Sequence, residues 1–320
     1  MKALRLFFLT ALIVACGGNK NEEPAPETGI DYLNEMLDIM QAHALYKKTI
    51  DWPTVRSQVL AKANADGAKT VEDVFPAIQL ALNSLNDKNS KYYASNSTVL
   101  AAQADACTGS SATVDINDAN IGYVLVTHIA GESQQVNQYA VDMQTIIKNQ
   151  DSEDIKGWIV DLRGLAGGNM MAMLAGVGPL LGNGVTGYFI DADDAEIQVS
   201  YNDGVVVNQG ATTYVTDFYT PIDPGKKVAV LIDQRTAISG EGVAIAFLGH
   251  SNTRSFGTAT CGVSTAPGVF TMSDGATLAL VDVGMADRNK VKIYNGLTPD
   301  VTVAGDKEVV NKAIEWINEE

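Results

Sequence analysis

Hydroxyl and carboxylate side chains lie together in the segment Val228–Phe247, where one apolar pattern gives way to another. An apolar β-branched run, a short turn of small residues and an apolar run with helical spacing predict a buried strand that leads into a helix. Ser239 and Glu241 fall at the start of that helix. The first N–H groups of a helix have no intrahelical partner and carry partial positive charge, so they stabilise a developing oxyanion. The segment is therefore a candidate for nucleophilic chemistry.

A glycine-rich turn, Asp161–Asn169, is the second candidate and lies between a predicted buried strand and a predicted helix. Gly167 and Gly168 lack side chains, so their N–H groups can approach a ligand closely and form an oxyanion hole. The same residues suit an ordinary strand-to-helix turn, and spacing alone leaves both interpretations open. The turn lacks the G-x-G-x-x-G spacing of dinucleotide sites. We expect no cofactor and no metal ion.

The charge balance argues against nucleic acid as a partner. The 320 residues contain 22 Lys and Arg against 38 Asp and Glu, which gives a formal net charge of −16. Binding to a phosphate backbone requires Lys and Arg, which this composition does not favour. The hydrophobic content of 46% is that of a globular protein.

Residues 1–15 have the features of a signal peptide, because a basic start precedes an apolar run too short to span a bilayer. The run ends in Leu-Ile-Val-Ala-Cys16, which resembles a bacterial lipobox, and the resemblance implies that Cys16 is lipidated. An ordinary signal peptide with an incidental cysteine is the alternative. Residues 16–29 then form a flexible tether. We therefore expect a lipid-anchored protein of the bacterial cell envelope, at the outer membrane or the periplasmic face.

Three regions follow the tether. Residues 30–93 carry apolar residues at helical spacing and capping signals, which predict a small helical N-terminal domain. Residues 94–120 show no sustained period and are predicted to form a flap or long loop. Residues 121–320 alternate between strand and helix patterns, which predicts an α/β core with crossover connections.

Cys107 and Cys261 remain as a pair after Cys16, in a compartment that permits disulfides. A bridge between them and two buried free thiols are equally compatible with the sequence. A bridge would attach the predicted flap to the core.

The order of motifs resembles the C-terminal processing, or tail-specific, serine peptidases, and in particular the branch that contains the tricorn protease core. The matching pieces are Leu85–Ser90, Ile121–Tyr123, Asp161–Gly168, Thr236–Glu241, Asn252–Gly257, Gly262–Thr265, Ser273–Gly275, Asp287–Arg288 and Thr298–Asp300. The interval between Tyr93 and Ile121 is too short for the PDZ module of many members. The resemblance implies a core of strand-strand-helix units like that of Clp protease and crotonase, beside a helical domain.

The resemblance also implies peptide-bond hydrolysis through acyl transfer to a serine. Its oxyanion hole would consist of an N–H of Gly167 or Gly168 and the N–H of Ser239. Glu241 occupies the acidic position that orients the base in an active enzyme, and it could equally stabilise the helix N-terminus.

The side-chain positions of the family pattern are altered here. The nucleophile position, three residues before Glu241, holds Ile238, which has no hydroxyl. The histidine of tricorn-like members is replaced by Asn89, which cannot act as a general base near neutral pH. The lysine of members with a Ser–Lys dyad is replaced by Val263, and Leu165 takes the place of a polar residue in the oxyanion turn.

Three hypotheses follow. In the first, Ser239 is a displaced nucleophile served by His128 or His250. In the second, the cleft binds extended peptides or the C-termini of unfolded proteins without hydrolysis. Replacement of both nucleophile and base favours this second hypothesis, because losing either one disables the coupled chemistry. In the third, the cleft binds a small apolar ligand. The residues that would line it are Ile238, Leu165, Met170, Met171 and Met173.

Overall fold

The computed structural model describes residues 28–102, 107, 116 and 118–319. The predicted signal peptide, Cys16, most of the tether and most of the predicted flap lie outside these residues. The described part contains seven α-helices and fourteen β-strands. The helices are α1 (Gly29–His43), α2 (Trp52–Ala65), α3 (Phe75–Asn83), α4 (Ser133–Gln150), α5 (Met170–Leu181), α6 (Ser239–Phe247) and α7 (Asp306–Asn318). The strands are β1 (Lys91–Tyr93), β2 (Val99–Ala101), β3 (Ile121–Leu125), β4 (Gly157–Asp161), β5 (Gly184–Asp191), β6 (Glu196–Asn202), β7 (Val205–Asn208), β8 (Ala211–Tyr214), β9 (Lys227–Ile232), β10 (Thr253–Gly257), β11 (Thr265–Thr271), β12 (Thr277–Ala286), β13 (Lys292–Ile293) and β14 (Val301–Thr302).

Five strands form a parallel sheet in the order β14-β10-β9-β4-β3. β4 and β9 are apolar and buried almost throughout, as expected for central strands that are covered on both faces. One face packs against α7, and the other packs against α4 and α5. Because β4 and β9 are adjacent and parallel, the turns that follow them begin at the same edge of the sheet. Ligand sites of open α/β sheets lie at this carboxyl edge.

The second sheet has nine strands and is antiparallel. Its order is β2-β1-β12-β5-β6-β7-β8, and β11 and β13 also pair with β12. β1 and β2 correct the sequence analysis, which assigned their residues to the end of the helical domain and to the flap. Each has only three residues, too few for alternation to be recognised.

The helices α1, α2 and α3 share an apolar core with the second sheet. Thr28 caps α1 by accepting from the N–H of Asp31, and Asp51 caps α2. Buried side chains of these helices pack against Leu278 and Leu280 of β12. The helical segment therefore lies against the strand from which the rest of the second sheet extends.

Helices and strands in this arrangement confirm the predicted α/β class with a helical N-terminal part. Within the ranges given above, no helix has both the length and the apolarity to cross a membrane.

Candidate active site

The turn between β9 and α6 has the backbone of a nucleophile elbow. Ile238 precedes the first turn of α6 with φ 53° and ψ −109°. A positive φ is an outlier for a β-branched residue, and such strained conformations cost on the order of 1–3 kcal/mol. Sharp strand-to-helix turns of this kind present a nucleophile at the edge of an α/β sheet. Ile238 adopts this conformation although its side chain has no hydroxyl.

Hydrogen bonds join this elbow to the glycine turn after β4. The Thr236 hydroxyl donates to the Leu162 carbonyl oxygen at 2.9 Å. The Asp233 carboxylate accepts from the Gly164 N–H at 3.0 Å and also from the Thr236 N–H at 3.0 Å. No role for Asp233 or Thr236 was predicted from the sequence. The Asp-x-x-Thr spacing of an Asx-type turn is the signal that could have found them.

Ser239 completes the junction of the two turns. It is buried, at 6% exposure, and its hydroxyl donates to the Gly168 carbonyl oxygen at 2.6 Å. Two residues before it, the N–H of Ala237 donates to the carbonyl oxygen of Leu165 at 2.9 Å. Among the described residues, the Ser239 hydroxyl forms no hydrogen bond with an imidazole or an ammonium group. The side chain that the first hypothesis takes as a nucleophile is therefore bonded within the turn.

Two glycines give the second turn its shape, with φ 151° at Gly167 and φ 126° at Gly168. A Cβ at Gly168 would lie 2.8 Å from the carbonyl oxygen of Ile129, so the close approach there requires glycine. The N–H groups of both glycines have no acceptor in the described part of the chain. They remain available to an acceptor on a ligand, as an oxyanion hole requires.

His128 lies beside the glycine turn. Its Nδ1 is 3.0 Å from the carbonyl oxygen of Gly167. A carbonyl oxygen can only accept, so Nδ1 carries the hydrogen and Nε2 of the neutral ring is left as an acceptor. No hydrogen bond between His128 and Ser239 occurs in the regions described.

His250 lies after the opposite end of α6 from Ile238, and a helix of this length spans about 13 Å. Its ring contacts the Arg288 guanidinium, which also donates to the carbonyl oxygens of Leu248 and Ala246. Burial, together with the positive charge of Arg288, lowers the pKa of His250 to about 4. The contact ties the end of α6 to the segment after β12, so His250 does not serve Ser239.

Glu241 binds the loop that follows β10. It is fully buried, and one oxygen accepts from the Thr260 hydroxyl and from the Gly262 N–H, the latter at 2.8 Å. Its second oxygen accepts from the Val263 N–H at 2.8 Å. Both oxygens are thus occupied by residues 260–263. This contact set fits a structural role for Glu241 rather than the orientation of a base.

Cys261 lies in the same loop and is joined to Cys107 by a disulfide, with their Cα atoms 5.5 Å apart. The N–H of Cys261 donates to the Thr236 carbonyl oxygen at 3.0 Å. The bridge therefore attaches Cys107 to a loop that touches the elbow.

The loop after α3 contains the family's base position. The Asp87 carboxylate accepts from the N–H groups of Asn89 and Ser90 at 2.8 and 2.7 Å and from the Ser90 hydroxyl at 2.7 Å. Burial raises the pKa of Asp87, and these three hydrogen bonds partly oppose the rise. The Ser90 hydroxyl accepts from the Val281 N–H at 2.9 Å, which fixes the loop on β12.

This loop faces the loop of residues 260–263, because Nζ of Lys88 lies 3.4 Å from the Cys261 carbonyl oxygen. Cys261 thus contacts both the loop after α3, through Lys88, and the elbow, through Thr236.

The residues predicted to line an apolar ligand site are mostly core. Leu165 and Met173 are buried at 3% and 0% exposure. A small pocket between α5, α6 and β5 includes Met170 but has room for about one water molecule. The pocket does not include Ile238 or Met171.

An elbow and a glycine turn, joined at the carboxyl edge of a parallel sheet, define the backbone of an α/β acyl-transfer site. The sequence model of peptidase family S41 matches residues 120–303, more than half of the chain. The chain therefore belongs to peptidase family S41. The match confirms the resemblance to the tail-specific peptidases and, with it, the predicted core.

Three relatives show how far the similarity extends. A nisin-resistance protein from Lactococcus lactis subsp. lactis is 25% identical over 301 residues, which cover 92% of this chain and 87% of the relative. The structure of a lipoprotein from Streptococcus agalactiae has a TM-score of 0.67 at 20% identity and covers 93% of this chain and 99% of that one. The photosystem II D1 C-terminal processing protease has a TM-score of 0.56 at 14% identity, with 86% and 93% covered. At these identities the two structures show a shared fold.

Proposed function

We propose that this protein binds an extended peptide in the S41 cleft and does not cleave it. The observation that carries the proposal is which side chains the elbow holds. Ile238 stands at the nucleophile position, and the Ser239 hydroxyl is bonded to Gly168. Acyl transfer requires a nucleophile within reach of a base, and Asn89 cannot take up a proton near neutral pH. The side chains for hydrolysis are replaced, whereas the N–H donors of Gly167 and Gly168 remain.

Peptides are the ligand class that this backbone fits. Free N–H groups beside a cleft bind main-chain carbonyl groups or a terminal carboxylate. Members of the family act on peptides, so the C-terminal segments of unfolded proteins are one source. The similarity to a nisin-resistance protein supports an antimicrobial peptide as another, with nisin as the first to test.

The two other hypotheses have weaker support. Hydrolysis by Ser239 requires its hydroxyl to leave Gly168 and to meet a base such as His128. A small apolar ligand requires a cavity, and the pocket near Met170 is too small for one.

The proposal places the protein at the bacterial cell envelope, anchored through a lipid on Cys16. Its support is the signal-peptide pattern of residues 1–15 and the fold shared with a protein described as a lipoprotein. Radiolabelled palmitate should be incorporated into the wild-type protein and not into Cys16→Ala. Equal incorporation would refute the anchor.

The binding proposal is tested by titrating the purified protein into fluorescein-labelled nisin and following anisotropy, with mass spectrometry of the recovered peptide. We expect saturable binding and intact peptide. Gly168→Ala should abolish binding, because its Cβ would collide with Ile129. Gly67→Ala is the matched control, since Gly67 also has a positive φ but has open space around it and lies after α2. Fragments of nisin produced by the wild type, or equal binding by Gly168→Ala, would refute the proposal.

A further inference from the structure

The last strand of the antiparallel sheet, β8, presents an unpaired edge. Among the described residues it pairs with β7 alone, and just after it the N–H of Val215 donates to the Gly204 carbonyl oxygen at 2.8 Å. Hydrogen-bonded pairs alternate along an antiparallel ladder. The backbone groups of Thr213 therefore face β7, whereas those of Thr212 and Tyr214 face away from it. In the described part of the chain, these outward N–H and C=O groups have no hydrogen-bond partner.

The edge of the parallel sheet at β3 is protected, in contrast to the edge at β8. The side-chain amide of Gln150 donates to the carbonyl oxygen of Tyr123 and accepts from its N–H, both at 2.9 Å. Proteins protect edge strands in such ways, or with charged residues, proline or a bulge, because an unpaired edge binds other strands. Residues 205–216 contain no charged residue and no proline, and β7 and β8 pair without a register shift. The exposed residues Thr212 and Tyr214 thus form an edge that is open to another strand.

The lack of charge along this edge favours a second copy of the chain as its partner. A partner that is attracted by charge would require acidic or basic groups here, and the edge offers none. Two copies, each with a net charge of −16, repel one another over most of their surface. They approach at the lowest electrostatic cost where neither presents a carboxylate. The exposed apolar side chains of Val207 and Tyr214 lie on the open face of the sheet beside this edge and add contact area.

We propose that two copies of this chain pair through β8 and form a dimer with twofold symmetry. Antiparallel pairing centred on Thr213 puts Thr212 of each copy opposite Tyr214 of the other, and each such pair exchanges both of its N–H···O=C hydrogen bonds. The same strand supplies both halves of the interface, so the contact is isologous and closes at the dimer. Tyr214 then packs beside a threonine across the strands, which is a stabilising type of pair. The two antiparallel sheets become one continuous sheet.

Single cysteines test the register of this pairing. In a Cys16→Ala background, Thr213→Cys places two thiols at the symmetry axis. Opposite Cα atoms of a non-hydrogen-bonded pair lie about 4.5 Å apart, which suits a disulfide. Thr212→Cys is the matched control, because its thiol faces Tyr214 of the other copy. We expect the mild oxidant diamide to convert Thr213→Cys into a covalent dimer on a non-reducing gel and to leave Thr212→Cys monomeric. Equal cross-linking of the two variants would overturn the inference.

Sedimentation equilibrium measures the association without a cross-link. We expect the wild type to be in reversible monomer–dimer equilibrium, and the dimer to tighten when NaCl rises from about 50 to about 500 mM, because salt screens the repulsion between acidic chains. Thr212→Pro removes an outward N–H and leaves the bonds to β7 intact, so it should weaken the dimer about tenfold. Gln198→Lys is the control and should dimerise like the wild type, because Gln198 is exposed on β6, inside the sheet and away from its edge.

A wild type that stays monomeric at every concentration would overturn the inference, as would a Thr212→Pro variant that dimerises as tightly as the wild type. If the wild type is monomeric and labelled nisin binds to it but not to Thr212→Pro, the edge binds a peptide and the assignment to a second copy is wrong. The inference does not depend on the proposed function, because β8 belongs to the antiparallel sheet and contains no residue of the elbow or the glycine turn.

Discussion

At the scale of single residues, Ile238 has the backbone conformation of a nucleophile elbow but lacks the side chain of a nucleophile. Its positive φ places its side chain as a nucleophile elbow would, yet the side chain offers only apolar contact. Ser239, one position later, donates to Gly168 and so stabilises the junction of two turns. The turn thus has the backbone of an acyl-transfer site, while the Ser239 hydroxyl is used in a hydrogen bond between the two turns.

Restoring both family side chains should restore reactivity. The variant that combines Ile238→Ser with Asn89→His supplies a hydroxyl on the elbow and an imidazole at the base position. We expect it to form a covalent adduct with a fluorophosphonate probe, measured by intact-mass spectrometry, because a nucleophile and a base within one site are the requirement for acyl transfer. The single variant Ile238→Ser is the control and should react far more slowly. A folded double variant without adduct would show that the cleft no longer has an active geometry.

At the scale of elements, Glu241 attaches the start of α6 to the loop of residues 260–263. Glu241→Gln keeps the size of the side chain but places an NH₂ group where a carboxylate oxygen accepted from a backbone N–H. We expect the free energy of unfolding to fall by about 2–3 kcal/mol, because hydrogen bonds to a charged group are lost and a buried donor is left unpaired. Urea denaturation measures the change. The exposed Glu315→Gln is the control and should stay within about 0.5 kcal/mol of the wild type.

The end of α6 should respond to acid through His250. Its pKa falls from 6.5 to about 4 on folding, because burial and Arg288 disfavour the charged ring. The unfolded chain binds this proton more readily, so the stability contributed by neutral His250 is present above pH 6.5 and is lost as the pH falls towards 4. His250→Asn cannot titrate and should lose less stability over that range. Urea denaturation at several pH values compares the two proteins, and parallel losses would contradict the assignment.

At the scale of the whole molecule, the disulfide links parts of the chain that are 154 residues apart. Replacing Cys107 and Cys261 by serine should lower the free energy of unfolding by about 2–4 kcal/mol, because the unfolded chain gains freedom when a long loop is opened. Guanidinium denaturation measures the change. Dithiothreitol should reproduce it in the wild type and have no effect on the double serine variant. Stability unaffected by dithiothreitol in the wild type would refute this account.

The sequence predicts the large outline of this molecule better than its local contacts. Long apolar runs such as β4 and β9 identify the parallel sheet, and motif order identifies the family. The bond from Ser239 to Gly168 could not be predicted, because it depends on the direction of one side chain between segments 71 residues apart. The pairing of Cys107 with Cys261 was likewise open, since either state suits the sequence.

The central claim is that the wild-type site has no working nucleophile, and covalent labelling tests it most directly. Purified wild-type protein is incubated with a fluorophosphonate probe, and its intact mass is compared with that of Ser239→Ala. We predict no adduct in either protein, because the elbow holds Ile238 and the Ser239 hydroxyl is bonded to Gly168. An adduct on the wild type that disappears in Ser239→Ala would contradict the claim and identify Ser239 as a displaced nucleophile.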